Sequence, residues 1–123
     1  MLYSDLTRAV IGCAFDVQNE LGSGFLESVY EKAMLISLDE AGIPARSQVP
    51  IGVHFRGQPV GDFYADLLVD EKVIVELKAV ERLTPQHKAQ VINYLNATGI
   101  PVGLLINFGS PKVDFQRFTR SKS

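Results

Sequence analysis

The sequence predicts an α/β domain with a mixed sheet flanked by helices, and three observations predict it. Two helical apolar stripes are followed by three strand-like runs, then by a helix with a strong start signal that leads into one more buried strand. The run from Val73 to Val80 is continuous and β-branched, the mark of a strand covered on both faces. The strand–helix–strand step across Thr84 to Asn107 calls for a right-handed parallel crossover, whereas the strands before it are joined by turns short enough only for antiparallel neighbours. The expected order is helix, helix, three strands, helix, strand, giving a four-stranded mixed sheet with an extra helix at the N-terminus.

Each element has its own warrant. From Ser4 to Leu21 the apolar residues Leu6, Val10, Cys13, Ala14, Val17 and Leu21 recur at helical spacing, with Ser4 as N-cap and Gly22 as stop. A second helix runs from about Phe25 to Ala41, with Leu26, Tyr30, Ala33, Met34, Ser37, Leu38 and Ala41 on one side, and Gly42 and Pro44 end it. Gln48 to Phe55 and Val60 to Val69 read as strands around the turn Arg56-Gly57-Gln58-Pro59. Thr84-Pro85 places a hydroxyl cap before a proline at the first helical position, and that helix should reach Thr98 with Gly99 as its αL cap. Pro101 to Asn107 is a further buried strand, and Val113 to Thr119 offers a short edge strand.

The 123 residues point to a single domain spanning 1–123, large enough for a core and too small for two. With 46% hydrophobic and 21% charged residues, disordered and collagen-like classes drop out. No apolar run approaches the roughly 18–20 residues that span a bilayer, so no membrane partner is expected. The first residues lack a basic segment followed by an apolar one, so no secretory signal is expected. Cys13 is the single cysteine, which excludes an intrachain disulfide and cysteine-cluster zinc and fits a reducing cytoplasm. A net charge of −2 gives no general attraction to nucleic acid. The segment from Lys112 to Ser123 holds Lys112, Arg117, Arg120 and Lys122 against Asp114 alone; a basic tail could touch phosphates, although a solvated terminus is the plainer reading.

The chemistry concentrates in the hairpin from Gly61 to Lys78. Both strands are apolar, yet they carry Asp66, Glu76 and Lys78 where strands buried on both faces should hold Val or Leu. Burying such charges costs several kcal/mol unless they are paired or metal-bound. If Asp70, Glu71 and Lys72 form a three-residue loop, Val69 pairs with Val73 and Asp66 lies directly opposite Glu76, with Lys78 on the same face. A two-residue loop would put the carboxylates on opposite faces; the odd-length loop is the expectation. Opposed carboxylates repel, so the arrangement calls for a divalent cation between them, and all-oxygen ligands suit Mg²⁺ or Mn²⁺. Such an ion polarises a phosphate oxygen and acidifies a bound water. Lys78 would position or activate that water, or steady the developing charge. Asp62 shares the face of Asp66 by parity and is a reserve ligand. Glu27, in the first turn of the second helix, is a further candidate, although a carboxylate there also serves the helix dipole. On the third helix Gln90 and Tyr94 share a flank with His87 that could lie over the sheet and hold a substrate phosphate.

These residues together resemble the PD-(D/E)XK nuclease-like superfamily, and within it the small bacterial proteins named for a GxxxExxY signature. Glu27-Ser-Val-Tyr30 resembles the Glu-x-x-Tyr part of that signature, while Gly22 and Gly24 stand five and three residues before Glu27 and miss its literal spacing. Asp66 and Glu76-Leu77-Lys78 are similar to the superfamily's Asp and Glu-x-Lys, and Gln90-Val-Ile-Asn-Tyr94 to the Gln-x-x-x-Tyr of its RecB-like branch. The resemblance covers nearly the whole chain and implies a restriction-endonuclease-like αβββαβ core. It also implies Glu27, Asp66, Glu76 and Lys78 as the metal and catalytic set, with Gln90 and Tyr94 accessory, and DNA or RNA as partner.

Cys13 in the first apolar stripe reads as a small buried hydrophobe and His54 as a surface residue. His87 could approach the site from the flank. Two function classes follow. One is a metal-dependent nuclease. The other is a nuclease fold that binds nucleic acid or assembles into homo-oligomers without cutting, with the apolar first helix as a symmetric contact.

Overall fold

A computed structural model describes residues 1–120. Its elements are α1 (Ser4–Leu21), α2 (Glu27–Glu40), β1 (Ala45–Phe55), β2 (Gln58–Val69), β3 (Val73–Lys78), α3 (Pro85–Thr98), β4 (Val102–Asn107) and β5 (Asp114–Thr119). The sheet runs in chain order from β1 to β5; β3 and β4 are parallel and all other neighbours antiparallel. It is mixed and flanked by helices as expected, but it has five strands, not four. Asp114–Thr119 pairs along the whole of β4, from Val102–Thr119 to Asn107–Asp114, and so satisfies main-chain groups that a fully buried β4 could not leave unpaired. Of the basic C-terminal segment, Lys122 lies outside the described residues.

Two cores sandwich the sheet. Val10, Cys13 and Val17 of α1 and Tyr30, Met34 and Leu38 of α2 pack on one face against Leu67, Val75, Leu77, Leu104 and Ile106. Val91, Tyr94 and Leu95 of α3 cover the other, over Ile51, Leu68, Ile74 and Leu105. Within the apolar stripe of α1, Val10, Cys13, Ala14 and Val17 are buried inside the chain, whereas Leu21 at its end is exposed.

Local signals mostly placed the elements, with instructive shifts. The cap of α1 is Tyr3, in left-handed conformation and without a side-chain bond, in place of Ser4. Helix α2 starts at Glu27, not Phe25, because Leu26 is extended (φ −70°, ψ 156°) and serves as its N-cap, and the Phe25 N–H donates to the Tyr30 hydroxyl at 3.3 Å. That hydroxyl donates in turn to the Gly22 carbonyl at 2.6 Å, and the fully buried ring stacks on Phe108 with centroids 4.5 Å apart. Tyr30 therefore ties the α1–α2 connection to the core. Tyr30→Phe should keep the stacking and cost about 1 kcal/mol, read as a melting temperature lowered by about 3–6 °C. The β1–β2 hairpin closes through Arg56 and Gly57, both at positive φ (50° and 78°), the primed turn that a two-residue connection requires.

Side-chain parity does not run unbroken along this hairpin. Leu67 packs with the α1–α2 core, whereas Ala65, two residues earlier, packs with the α3 core. On β1, Ala45 and Val49 divide the same way. The rollover falls at Gln48, whose φ is 52°, and at its register partner Asp66; this pair alone drops out of the ladder between Ser47–Leu67 and Val49–Ala65.

Candidate functional site

The loop Asp70–Glu71–Lys72 has three residues, with Asp70 and Glu71 at positive φ, and Val69 pairs with Val73. The β2–β3 ladder continues through Leu68–Ile74 to Leu67–Val75 and stops there. Beyond it β2 stays with β1, while β3 stays with β4 as far as Lys78–Asn107. The strands part at Asp66 and Glu76. There the carboxylates replace the ladder: the Asp66 N–H donates to Glu76 Oε1 at 3.0 Å, and the Leu77 N–H donates to Asp66 Oδ2 at 2.8 Å.

Glu76 is 3% exposed. Burial, and next the charge of Asp66, push its carboxyl up to about 8, with the Asp66 N–H and the Lys78 ammonium opposing. Because the folded state holds this proton more tightly than the unfolded chain, the contribution of Glu76 to stability is full below the ordinary carboxylate range and is lost as pH rises towards about 8. In EDTA the melting temperature should therefore decline between about pH 5 and about pH 8.5. Glu76→Gln, which keeps an acceptor for the Asp66 N–H, should be flat over that window and melt higher than the parent at its upper end.

Lys78 is half-buried and donates to Gln90 Oε1 at 3.1 Å, and Gln90 Nε2 donates to the Tyr94 hydroxyl at 3.1 Å. Tyr94 is itself held up from the ordinary phenol range by burial and then by the Glu76 charge, so it stays protonated. Glu27 is exposed and lines, with Ser28, Glu31, Gln48 and Asp66, a cavity of about 170 Å³ between α2 and the sheet. The structure thus links the expected residues in two groups. Glu27 and Asp66 share the α2 cavity, while Glu76, Lys78, Gln90 and Tyr94 run towards α3, and the Asp66–Glu76 hydrogen bond joins them.

Two expected residues fall elsewhere. Asp62 lies beyond the rollover at Asp66, pairs with Gly52 and is exposed, so parity does not carry it to the site. His87 closes a capping box: its Nδ1 accepts the Thr84 N–H at 3.0 Å and its N–H donates to Thr84 Oγ1 at 3.3 Å. Sequence reasoning missed Asn107, which is 1% exposed. Its amide accepts from Val80 N–H at 3.0 Å and donates to the Val80 carbonyl at 2.8 Å, and its Oδ1 also takes the Gly109 N–H at 3.0 Å. It fixes the chain two residues after Lys78. The signal was a lone amide ending an otherwise apolar strand.

The donors fit a hard divalent cation. Asp66 and Glu76 each commit one oxygen to a main-chain N–H, which leaves Asp66 Oδ1 and Glu76 Oε2 for an ion. Among the described residues no group of three or more His, Cys, Asp or Glu is gathered to hold a metal. Mg²⁺ commonly takes only one or two carboxylates and completes its shell with water and phosphate oxygens, so the pair meets its usual demand.

A mixed sheet between helices, with an acid pair where two central strands part, defines the restriction-endonuclease-like α/β core. Residues 4–118 match the PD-(D/E)XK nuclease superfamily, and the chain belongs to it. Its fold is similar to the crystal structure of SSO0001 (TM-score 0.63, 16% identity), a match that covers 98% of this chain and 61% of that one. This chain therefore spans less than two thirds of that relative's length. No curated protein matches the sequence. Among the described residues no helix is long and apolar enough to cross a membrane.

Proposed function

We propose that this chain hydrolyses phosphodiester bonds of nucleic acid at the Asp66–Glu76–Lys78 site, and that it is one of the GxxxExxY proteins of the superfamily, on Glu27-x-x-Tyr30. The observation that carries the activity is the placing of two adjoining carboxylates, one of them buried, where β2 and β3 part, with the Lys78 ammonium alongside. One buried and one half-buried acid side by side in this position are what a bound divalent cation would compensate. Asp66 and Glu76 would hold Mg²⁺ or Mn²⁺, with Glu27 supporting from the α2 cavity. When bound, the ion supplies Lewis acidity and an acidified water. Lys78, oriented by Gln90, steadies negative charge on the phosphate, and Tyr94 keeps its own hydroxyl proton for a phosphate oxygen. A cytoplasmic location belongs to the same proposal and rests on the single, buried Cys13.

A second reading keeps the fold and gives up the cutting: a nuclease-fold protein that binds nucleic acid or self-assembles. The lack of a three-residue metal cluster among the described residues favours it, and on the metal-free geometry alone it has the stronger support. Labelled DNA and RNA, single- and double-stranded, incubated with Mn²⁺ separate the two. Hydrolysis predicts cleavage of at least one substrate by the parent and none by Asp66→Asn; no metal-dependent cleavage of any leaves the second reading.

A further inference from the structure

Between α3 and the β1–β2 hairpin lies a groove of about 610 Å³, within the roughly 300–1,000 Å³ of ligand clefts. We propose that it seats an unpaired nucleobase, so that the substrate is single-stranded nucleic acid; this rests on the nucleic-acid reading above.

The groove is continuous with the site. Gln90 and Tyr94 line it and also form the chain of hydrogen bonds to Lys78, so a strand with one phosphate at Lys78 lays a neighbouring nucleotide over the groove. Its surfaces match a base. Phe63 is 46% exposed although aromatic, and the buried Tyr94 backs it with ring centroids 5.9 Å apart and planes tilted by 45°, which leaves Phe63 as an accessible aromatic surface on the groove. Gln86, Asn93 and Asn96 add side-chain amides, whose paired donors and acceptors complement base edges.

Charge separates base from backbone. None of the described residues lining the groove is charged, and the chain as a whole carries −2. Duplex binding needs cations along the phosphates, and this surface offers none. A neutral aromatic groove instead favours stacking, which single strands expose and duplexes bury.

The test is fluorescence anisotropy in EDTA with a short labelled single strand, the matching blunt duplex and a strand with abasic positions. The parent should bind the single strand tighter than the duplex or the abasic strand, and Phe63→Leu should weaken single-strand binding about tenfold. Leucine keeps apolar fill, and an unchanged melting temperature shows that the fold is intact; a variant that melts lower is replaced by Asn93→Ala, an exposed groove residue expected to weaken the same binding. Equal affinity for all three nucleic acids, or unaltered single-strand binding in the well-folded variant, overturns the proposal. So does a parent dimer that Phe63→Leu dissociates, which would assign the groove to a second copy. Because no metal is present, the two readings fail separately: single-strand binding without cleavage removes only hydrolysis, and duplex cleavage without base-dependent binding removes only the groove.

Discussion

Lys78→Met lowers Mn²⁺-dependent cleavage by roughly 10²–10⁴-fold, the range for losing one electrostatic or proton-transferring group, with the melting temperature nearly unchanged. The ammonium is held at 3.1 Å by Gln90 and acts on the Glu76 carboxyl, and Lys78 is half-buried and belongs to neither apolar core. Methionine preserves the apolar stem and removes only the charge. The loss should fall on kcat more than on KM if the ammonium meets charge that develops in the transition state. Single-turnover cleavage beside a thermal melt checks both halves. Retained cleavage would remove Lys78 from the reaction.

Gly109→Ala costs about 3–5 kcal/mol, against a total of roughly 5–15 for a domain of this kind. A Cβ at Gly109 would lie 2.0 Å from the Val80 carbonyl oxygen and 2.4 Å from its nitrogen. Both are main-chain atoms, clamped by Asn107 on the other side, so neither can step aside without pulling on β3. The damage reaches the site because Val80 follows Lys78 by two residues. A melting temperature lower by about 10 °C or more, or loss of soluble protein, is expected. A variant as stable as its parent would show that the close approach is relaxed in solution.

Much of this was legible in the sequence because its cues are local and periodic. The odd loop at Asp70–Lys72 fixed the pairing from Val69–Val73 to Leu67–Val75, as expected. The next pair, Asp66 opposite Glu76, does not form, because the strands part there and the two residues meet through the Asp66 N–H and the Glu76 carboxylate instead. The Thr84-Pro85 start and Gly99 stop bounded α3 without reference to anything it packs on. What stayed hidden depends on distant contacts. Parity failed for Asp62 because the hairpin rolls over at Gln48 and Asp66, and a left-handed glutamine within a strand has no composition signature. The role of Tyr30 as a strut for Gly22 and Phe25 was hidden behind its place in an apolar stripe. Val113 to Thr119 was a weak edge signal because β5 is mostly exposed and alternates poorly, although its pairing with β4 is complete.

The central claim is that the Asp66–Glu76 pair is built for a divalent cation, and titration calorimetry with Mn²⁺ at about pH 7, in two buffers of different ionisation enthalpy, tests it most directly. Since Glu76 holds its proton up to about 8 without metal, binding should be saturable at one site and should release a proton, and both signals should vanish in Asp66→Asn and Glu76→Gln. No saturable heat in the parent, or binding that survives both substitutions, would contradict it.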